Sequence, residues 1–307
     1  MRQVPELSLC RYTHGDAQAR AEFSSALSAG LRDYGFIVLK DHNVPLDLLA
    51  QAYALAGELF ARPEDEKRQY AGGLRGYTPF GVEHARDNTT PDLKEFWQIG
   101  HEPEPGAPAS PFSAPNVWPR APAGFRPAFE ALFAALNETG CILLEALAPT
   151  LDLPADYFAP LVKRGDSVLR VLHYPPIGAD VDPDAVRAAA HEDINLITIL
   201  VAARGAGLEL LDRDGAWLPV RTEPNALIVD SGDMMARLTN NVIPATTHRV
   251  VNSDDSGASR YSMPFFMHPT HDSVLAALPS CANGHEAAPI TAGEFLAERL
   301  REIGLKA

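Results

Sequence analysis

A histidine and an aspartate two residues apart, His191-Glu192-Asp193, lead into the β-prone run Ile197-Thr198-Ile199-Leu200-Val201. No other feature constrains the chain as tightly. In extended backbone, residues i and i+2 point to one face, so this imidazole and this carboxylate can aim at one point. A second histidine, His248, opens another β-branched run, Arg249-Val250-Val251.

Two imidazoles and one carboxylate that leave coordination positions open form the facial triad that holds non-haem Fe(II). An isolated His-x-Asp pair is more often a surface or structural feature. Here His248 stands on a second strand-like run, and Arg260-Tyr261-Ser262 follows at short distance. Arg260 and Ser262 share a strand face, and a guanidinium beside a hydroxyl makes a fork for a carboxylate. His191, Asp193 and His248 are therefore read as metal ligands, and Arg260 and Ser262 as an anion socket.

The totals exclude several function classes. The 307 residues carry a net charge of −14 and no long basic run, which argues against a nucleic-acid partner. The hydrophobic share of 46% and charged share of 21% are those of a globular chain. No apolar stretch of membrane-spanning length stands out, and Met1 to Glu6 lacks a signal peptide's apolar core. Cys10, Cys141 and Cys281 are odd in number and widely spaced, so neither a disulfide framework nor a zinc pattern is visible. A cytoplasmic location is expected, and no membrane partner.

Taken in order, Asp16 to Tyr34 reads as a helix, residues 35–40 as a strand after a glycine stop, and Leu46 to Phe60 as a second helix. Pro63-Glu64-Asp65-Glu66 reads as an acidic first helical turn. Gly72 to Gly124 is the least regular part. It contains Arg75, Tyr77, Phe80 and Phe96, each readable as a pocket residue or as ordinary packing. The Gly72 to Trp97 segment is expected to form part of a substrate lid. Phe125 to Ala148 is a long helix with an apolar face, a spine for a sheet. From Ser167 onward short strands alternate with turns: Val168 to Tyr174, Leu196 to Ala202, Leu208 to Leu211, Trp217 to Val220, Ala226 to Asp230, Thr247 to Asn252 and Arg260 to Met267. That spacing argues for a sandwich or barrel. Asp212 to Gly215 reads as a hairpin turn, Asp254 to Gly257 as a loop, and Thr291 with Glu294 as a capping box.

At this point the chain resembles the isopenicillin N synthase-like branch of the Fe(II)/2-oxoglutarate-dependent dioxygenases. The matching residues are His191-x-Asp193, His248, Arg260-x-Ser262, Leu172-His173-Tyr174-Pro175-Pro176, Gly207-Leu208-Glu209-Leu210 and Asp230-Ser231-Gly232-Asp233. Asn43-Val44-Pro45, Arg75-Gly76-Tyr77 and Asp92-Leu93-Lys94-Glu95-Phe96 look like that family's N-terminal region. The implied fold is mainly β with flanking helices, around a double-stranded β-helix core of the jelly-roll, cupin-like type. Residues 1–120 would form an N-terminal α/β region that includes the lid. Residues 121–307 would form the helical spine and the catalytic core, within one compact unit.

The resemblance implies Fe(II), O2 and 2-oxoglutarate as cosubstrate, a small-molecule substrate, and release of succinate and CO2. It places Arg260 and Ser262 on the distal carboxylate of 2-oxoglutarate, with Tyr174 as a further donor. Arg170 shares the strand face of Leu172 and Tyr174, so Arg75, Tyr77, Phe96 and Arg170 are the candidate substrate contacts. The pattern departs twice: Glu192 stands where plant relatives usually have threonine, and Leu172 where many have asparagine. His268 and His271 are read as surface residues, and His173 as packed or solvated. Two rival readings are an iron oxidase that needs no oxoglutarate and a non-catalytic cupin-like metal-binding protein.

Overall fold

The computed structural model describes residues 3–82, 92–103, 106, 112–176, 186–204, 207–220, 223, 225–252 and 257–302. Residues 83–91 of the expected lid and 254–256 of the expected loop lie outside the described residues.

Two β-sheets face each other. The larger has eight strands: β1 (Glu6–Ser8), β2 (Phe36–Lys40), β3 (Gly76–Thr78), β4 (Glu95–Gly100), β5 (Val168–Tyr174), β7 (Ile197–Arg204), β10 (Leu227–Ser231) and β12 (Arg260–Met267). Their spatial order is β1-β2-β10-β7-β12-β5-β4-β3. The smaller sheet is β6 (Ala188–His191), β11 (His248–Val250), β8 (Leu208–Leu211) and β9 (Trp217–Pro219), in that order. Within these sheets every named strand pair is antiparallel except β1 with β2. This is the expected jelly-roll.

Strand alternation divides the large sheet into two faces. Ile37, Leu39, Trp97, Ile99, Leu169, Val171, Ile199, Val229, Met263, Phe265 and Met267 join the outer core. There they meet the long helices α2 (Ala17–Tyr34), α3 (Leu46–Phe60) and α5 (Phe125–Leu147). Two short helices, α1 (Cys10–Thr13) and α4 (Glu64–Arg68), flank them, and α4 carries the expected acidic first turn. Phe133 of α5 packs edge-on against Phe265, with ring centroids 5.1 Å apart. The opposite face looks into the barrel. Phe36, Val38 and Ile228 meet Ala188, Leu208, Leu210 and Val250 of the small sheet there.

The spine helix corrects one expectation. By length and composition Phe125–Leu151 is apolar enough to cross a membrane, with a mean hydropathy of 1.5 in its best window. Its apolar stripe is spent on the sheet: Phe129, Leu132, Leu136, Leu143 and Leu144 are at most 2% exposed.

Local signals explain the ends of the elements. Asp16 caps α2 by accepting from the Ala19 N–H at 2.9 Å. Gly35 closes it at φ +67°, donating to Leu31 O, so the chain can turn straight into β2. The capping box at Thr291 forms as expected: Glu294 N–H donates to Thr291 Oγ1 and Thr291 N–H to Glu294 Oε2. The Asp212 to Gly215 turn joins β8 to β9.

The segment read as irregular holds two strands. Antiparallel β3 and β4 extend the large sheet along β5, with Phe96 opposite Leu172 and Gln98 opposite Arg170. The sheet edge thus carries the N-terminal region into the barrel wall. Two short strands, β1 and β6, were also not expected, and neither has room to display a period.

Candidate metal and cosubstrate site

β6 and β11 are paired so that His191 stands directly opposite His248. Their rings are 4.4 Å apart between centroids. Asp193 follows β6 at the same end of the barrel. Its Oδ1 is 3.8 Å from His191 Nε2 and 4.0 Å from His248 Nε2. One ligand atom from each residue falls within a 4.8 Å cluster, a spacing that one ion can bridge.

The surroundings fix how each ligand presents itself. His191 Nδ1–H donates to Ala189 O at 2.7 Å, and His248 Nδ1–H to Thr246 O at 3.0 Å. Each bond leaves an Nε2 lone pair facing the other two ligands. Burial, then the neighbouring His248, lowers the pKa of His191 to about 4, so that ring is neutral as ligation requires. The Thr198 hydroxyl donates to Asp193 Oδ2 and accepts from Asn195 Nδ2 at 2.8 Å. The loop carrying Asp193 is pinned from behind by backbone N–H groups: Asp233 donates to Asp193 O at 2.7 Å and Met234 to Asn195 O at 3.1 Å. Buried Asp230 adjoins Asp193, and burial plus that charge holds its carboxyl well above the usual range.

Glu192 lies between the two ligands in the chain, just past the end of β6. It is exposed and accepts from Thr247 Oγ1 at 2.9 Å behind the site.

Inside the barrel, Arg260 is paired with Tyr174 and Ser262 with Leu172 across β12 and β5. Arg260 is 2% exposed, and its Nε and Nη1 have no hydrogen-bond partner. Its guanidinium is 5.0 Å from the centre of the Tyr174 ring. A buried cation with two idle donors is costly unless an anion completes it. The donor set of the triad suits Fe(II), and the idle Arg260 donors suit a dicarboxylate that reaches from the metal into the barrel.

On the inner face of β5, Arg170 hydrogen-bonds Gln98 Oε1 at 3.1 Å. Its guanidinium is 4.3 Å from the Phe96 ring centre and 5.4 Å from that of Phe266. Phe96, Leu172 and Tyr174 form an apolar patch on the same face.

Three readings of single residues change. Tyr77 is not a pocket residue: its ring packs 6.4 Å from Trp97 on the outer core, and its hydroxyl donates to Glu95. Phe80 is 44% exposed. His268 is buried rather than on the surface, at 9% exposure, with Nδ1–H donating to Phe266 O at 3.3 Å. Phe266 and His268 went unremarked as site residues. Counting in twos from Arg260 and Ser262 along β12 would have placed both on the inner face.

Tyr77 belongs to a buried network centred on Glu95. The Glu95 carboxylate accepts from Lys67 Nζ at 2.6 Å, from Tyr77 and from His173 Nδ1 at 2.7 Å. His173 is stacked between Phe60 and Tyr261, and its Nε2 meets Ser259 Oγ at 3.1 Å, next to Arg260. Burial alone would raise the Glu95 pKa, but these donors hold it below its ordinary value. Glu95→Gln would strand the buried Lys67 charge. We expect a loss of about 3 kcal/mol and a fall in Tm of roughly 5–10 °C by calorimetry. Because the folded-state value is lowered, this stabilisation is present above pH ~4.5 and fades as the pH falls through the lowered value. An unchanged Tm in Glu95→Gln would show that the network contributes nothing net.

Two family descriptions match the chain. Residues 4–121 match the N-terminal region of the non-haem dioxygenases in morphine synthesis. Residues 165–269 match the 2OG-Fe(II) oxygenase superfamily. A 2-oxoglutarate-Fe(II) type oxidoreductase of Emericella nidulans is 32% identical over 92% of this chain and 84% of its own length. Among solved structures, a 2OG-Fe(II) oxygenase family protein from Caulobacter crescentus superposes with a TM-score of 0.89 at 42% identity, over 99% of this chain and all of the other. A full-length Neurospora crassa protein, crystallised with α-KG and thymine, gives 0.87 at 28% identity, over 98% of this chain and 96% of that one.

Proposed function

The chain belongs to the 2-oxoglutarate–Fe(II) oxygenase superfamily, and from that premise we propose that it oxidises a small molecule seated beside the triad against Arg170, Phe96 and Phe266. The protein is a 2-oxoglutarate-dependent non-haem iron dioxygenase with Fe(II), 2-oxoglutarate and O2 as its requirements. Similarity to 2-oxoglutarate-dependent relatives along most of the chain disfavours both rival readings, the oxoglutarate-independent oxidase and the non-catalytic binding protein.

The observation that carries the assignment of roles is Arg260, buried inside the barrel with two donors unused. His191, Asp193 and His248 would hold the ferrous ion, a ligand set of the kind that non-haem iron oxygenases use. When bound, the ion supplies the site at which O2 is reduced as 2-oxoglutarate loses CO2 to become succinate and the substrate gains oxygen. Arg260 would donate to the distal carboxylate of 2-oxoglutarate as a charge-assisted pair, with Ser262 and Tyr174 adding hydrogen bonds. Leu172 beside them supplies apolar contact in place of an amide. This inner wall also sheds water, which strengthens each pair made there.

Arg170 is the positioning group for substrate. Its guanidinium already stacks on Phe96, so a flat or polar substrate can pack against a surface that is fixed in advance. Arg170→Ala is expected to lower substrate-stimulated succinate release at least tenfold. Substrate-independent turnover of 2-oxoglutarate should persist, so O2 consumed per product formed rises well above one. The assay is succinate, O2 uptake and product measured together with the true substrate. A one-to-one ratio retained in Arg170→Ala would place the substrate elsewhere. O2 uptake with no succinate in the wild type would overturn the functional reading itself.

A further inference from the structure

A second buried arginine lies against the end of β4, over Gly100. Arg75 is 5% exposed and makes no ion pair among the described residues. Its Nη1–H donates to Leu74 O at 3.2 Å and its Nη2–H to Phe112 O at the long distance of 3.5 Å, while Nε has no partner. Its guanidinium occupies the space over Gly100, where a β-carbon would stand 2.2 Å from Nη2. Gly100 alternates with Phe96 and Gln98, so that space belongs to the inner face of β4. A side chain on residue 100 would displace the guanidinium, so glycine is what admits it.

His268 is the neighbour that ties this cation to the reaction site. By alternation with Ser262 and Phe266 it looks inward from the end of β12, and the charges of both Asp193 and Arg75 act on it. Its Nδ1–H is engaged by Phe266 O, which leaves Nε2 as an acceptor. The acidic groups nearest in effect to Arg75 are Asp166 and Glu102, and Asp166 is already paired with His271 Nδ1 at 3.2 Å.

We infer that Arg75 receives a carboxylate of the substrate, at the end of the molecule remote from the carbon that is oxidised, and that His268 accepts a hydrogen bond from an N–H or O–H beside it. This rests on the dioxygenase reading and names the substrate class: a small monocarboxylic acid. With Nε idle and one N–H left on each of Nη1 and Nη2, Arg75 can still offer a pair of donors to one carboxylate. Asp166 and Glu102 already offset part of its field, so a monoanion fits and a phosphate dianion would bury excess negative charge. Two arginines then divide the labour: Arg260 holds the cosubstrate from inside the barrel and Arg75 the substrate from the end of β4.

The test uses the Fe(II)-loaded enzyme, 2-oxoglutarate and a panel of small aromatic and aliphatic carboxylic acids, each paired with its primary amide. The readouts are succinate release and perturbation of the visible band of the Fe(II)·2-oxoglutarate complex. Acids should be active and their amides weaker by about 10²-fold, and Arg75→Gln should raise KM for the best acid by roughly 10²-fold. Arg75→Lys should recover part of that loss, as a point charge without the fork. Amides as effective as their acids, an unchanged KM in Arg75→Gln, or a panel in which no acid acts or perturbs the band would each overturn the proposal. Should Arg75→Gln fail to fold, the acid-to-amide comparison in the wild type decides alone. Failure to form the visible band at all would instead count against the cosubstrate reading, which separates the two.

Discussion

Asp193→Ala abolishes ferrous binding at working concentrations and lowers 2-oxoglutarate turnover by at least about 10³-fold. The reasoning starts from charge. Asp193 is the only anion in the triad, and two neutral imidazoles alone leave a divalent ion uncompensated in a buried site. A lost outer-shell partner typically costs 10–100-fold in metal affinity, so loss of a ligand must cost more. Thr198 grades the effect, because its hydroxyl donates to Asp193 Oδ2 and fixes which oxygen faces the histidines. Thr198→Val keeps the charge but frees the carboxylate to rotate, so an intermediate loss of about 10–100-fold in iron affinity is expected. Iron content after equilibrium dialysis measures both. Equal losses in the two variants would mean that Thr198 matters for packing rather than for the ligand.

Arg260→Gln should raise KM for 2-oxoglutarate by about 10²-fold or more while iron content stays near that of the wild type. The buried guanidinium gains a charged partner only when the cosubstrate is bound, and removing one member of such a pair costs about 2–5 kcal/mol. Arg260→Lys should fall between, since an ammonium restores the charge without the fork. Shorter 2-oxo acids that lack the distal carboxylate should discriminate poorly between wild type and Arg260→Gln. An unchanged KM would reassign the two idle donors of Arg260 to some other anion.

The features legible in the sequence are those that a short-range rule can read. His191-x-Asp193 and Arg260-x-Ser262 were visible because period-two alternation is a property of two residues and the one between them. The same alternation on β12 carries Met263, Phe265 and Met267 to the outer core, facing α5 and its neighbours. The Glu95 network was not, because Lys67, Tyr77, Glu95, His173 and Ser259 come from five separate places in the chain, and only the tertiary fold brings three of them to one carboxylate, with Ser259 reaching it through His173. Tyr77 was misread for that reason: an aromatic residue in a glycine-rich stretch looks like a pocket lining until its hydroxyl is seen to be occupied. His268 reads as a surface residue in the sequence because no carboxylate shares its strand face. It is covered by the chain around Gly165 and Asp166, where the Asp166 N–H donates to Pro269 O. Strands β3 and β4 escaped notice because a three-residue strand carries too little alternation to register, and β4 alternates within a wall buried on both faces.

The most direct measurement is an anaerobic titration of the apoprotein, first with Fe(II) and then with 2-oxoglutarate, followed by visible absorbance in wild type, Asp193→Ala and Arg260→Gln. Wild type should bind one ferrous ion and then develop a weak charge-transfer band that saturates at one equivalent of 2-oxoglutarate. Asp193→Ala should show no band, and Arg260→Gln should reach it only at about 10²-fold higher 2-oxoglutarate. A band of wild-type intensity and midpoint in Asp193→Ala would contradict the assignment of His191, Asp193 and His248 as the iron ligands.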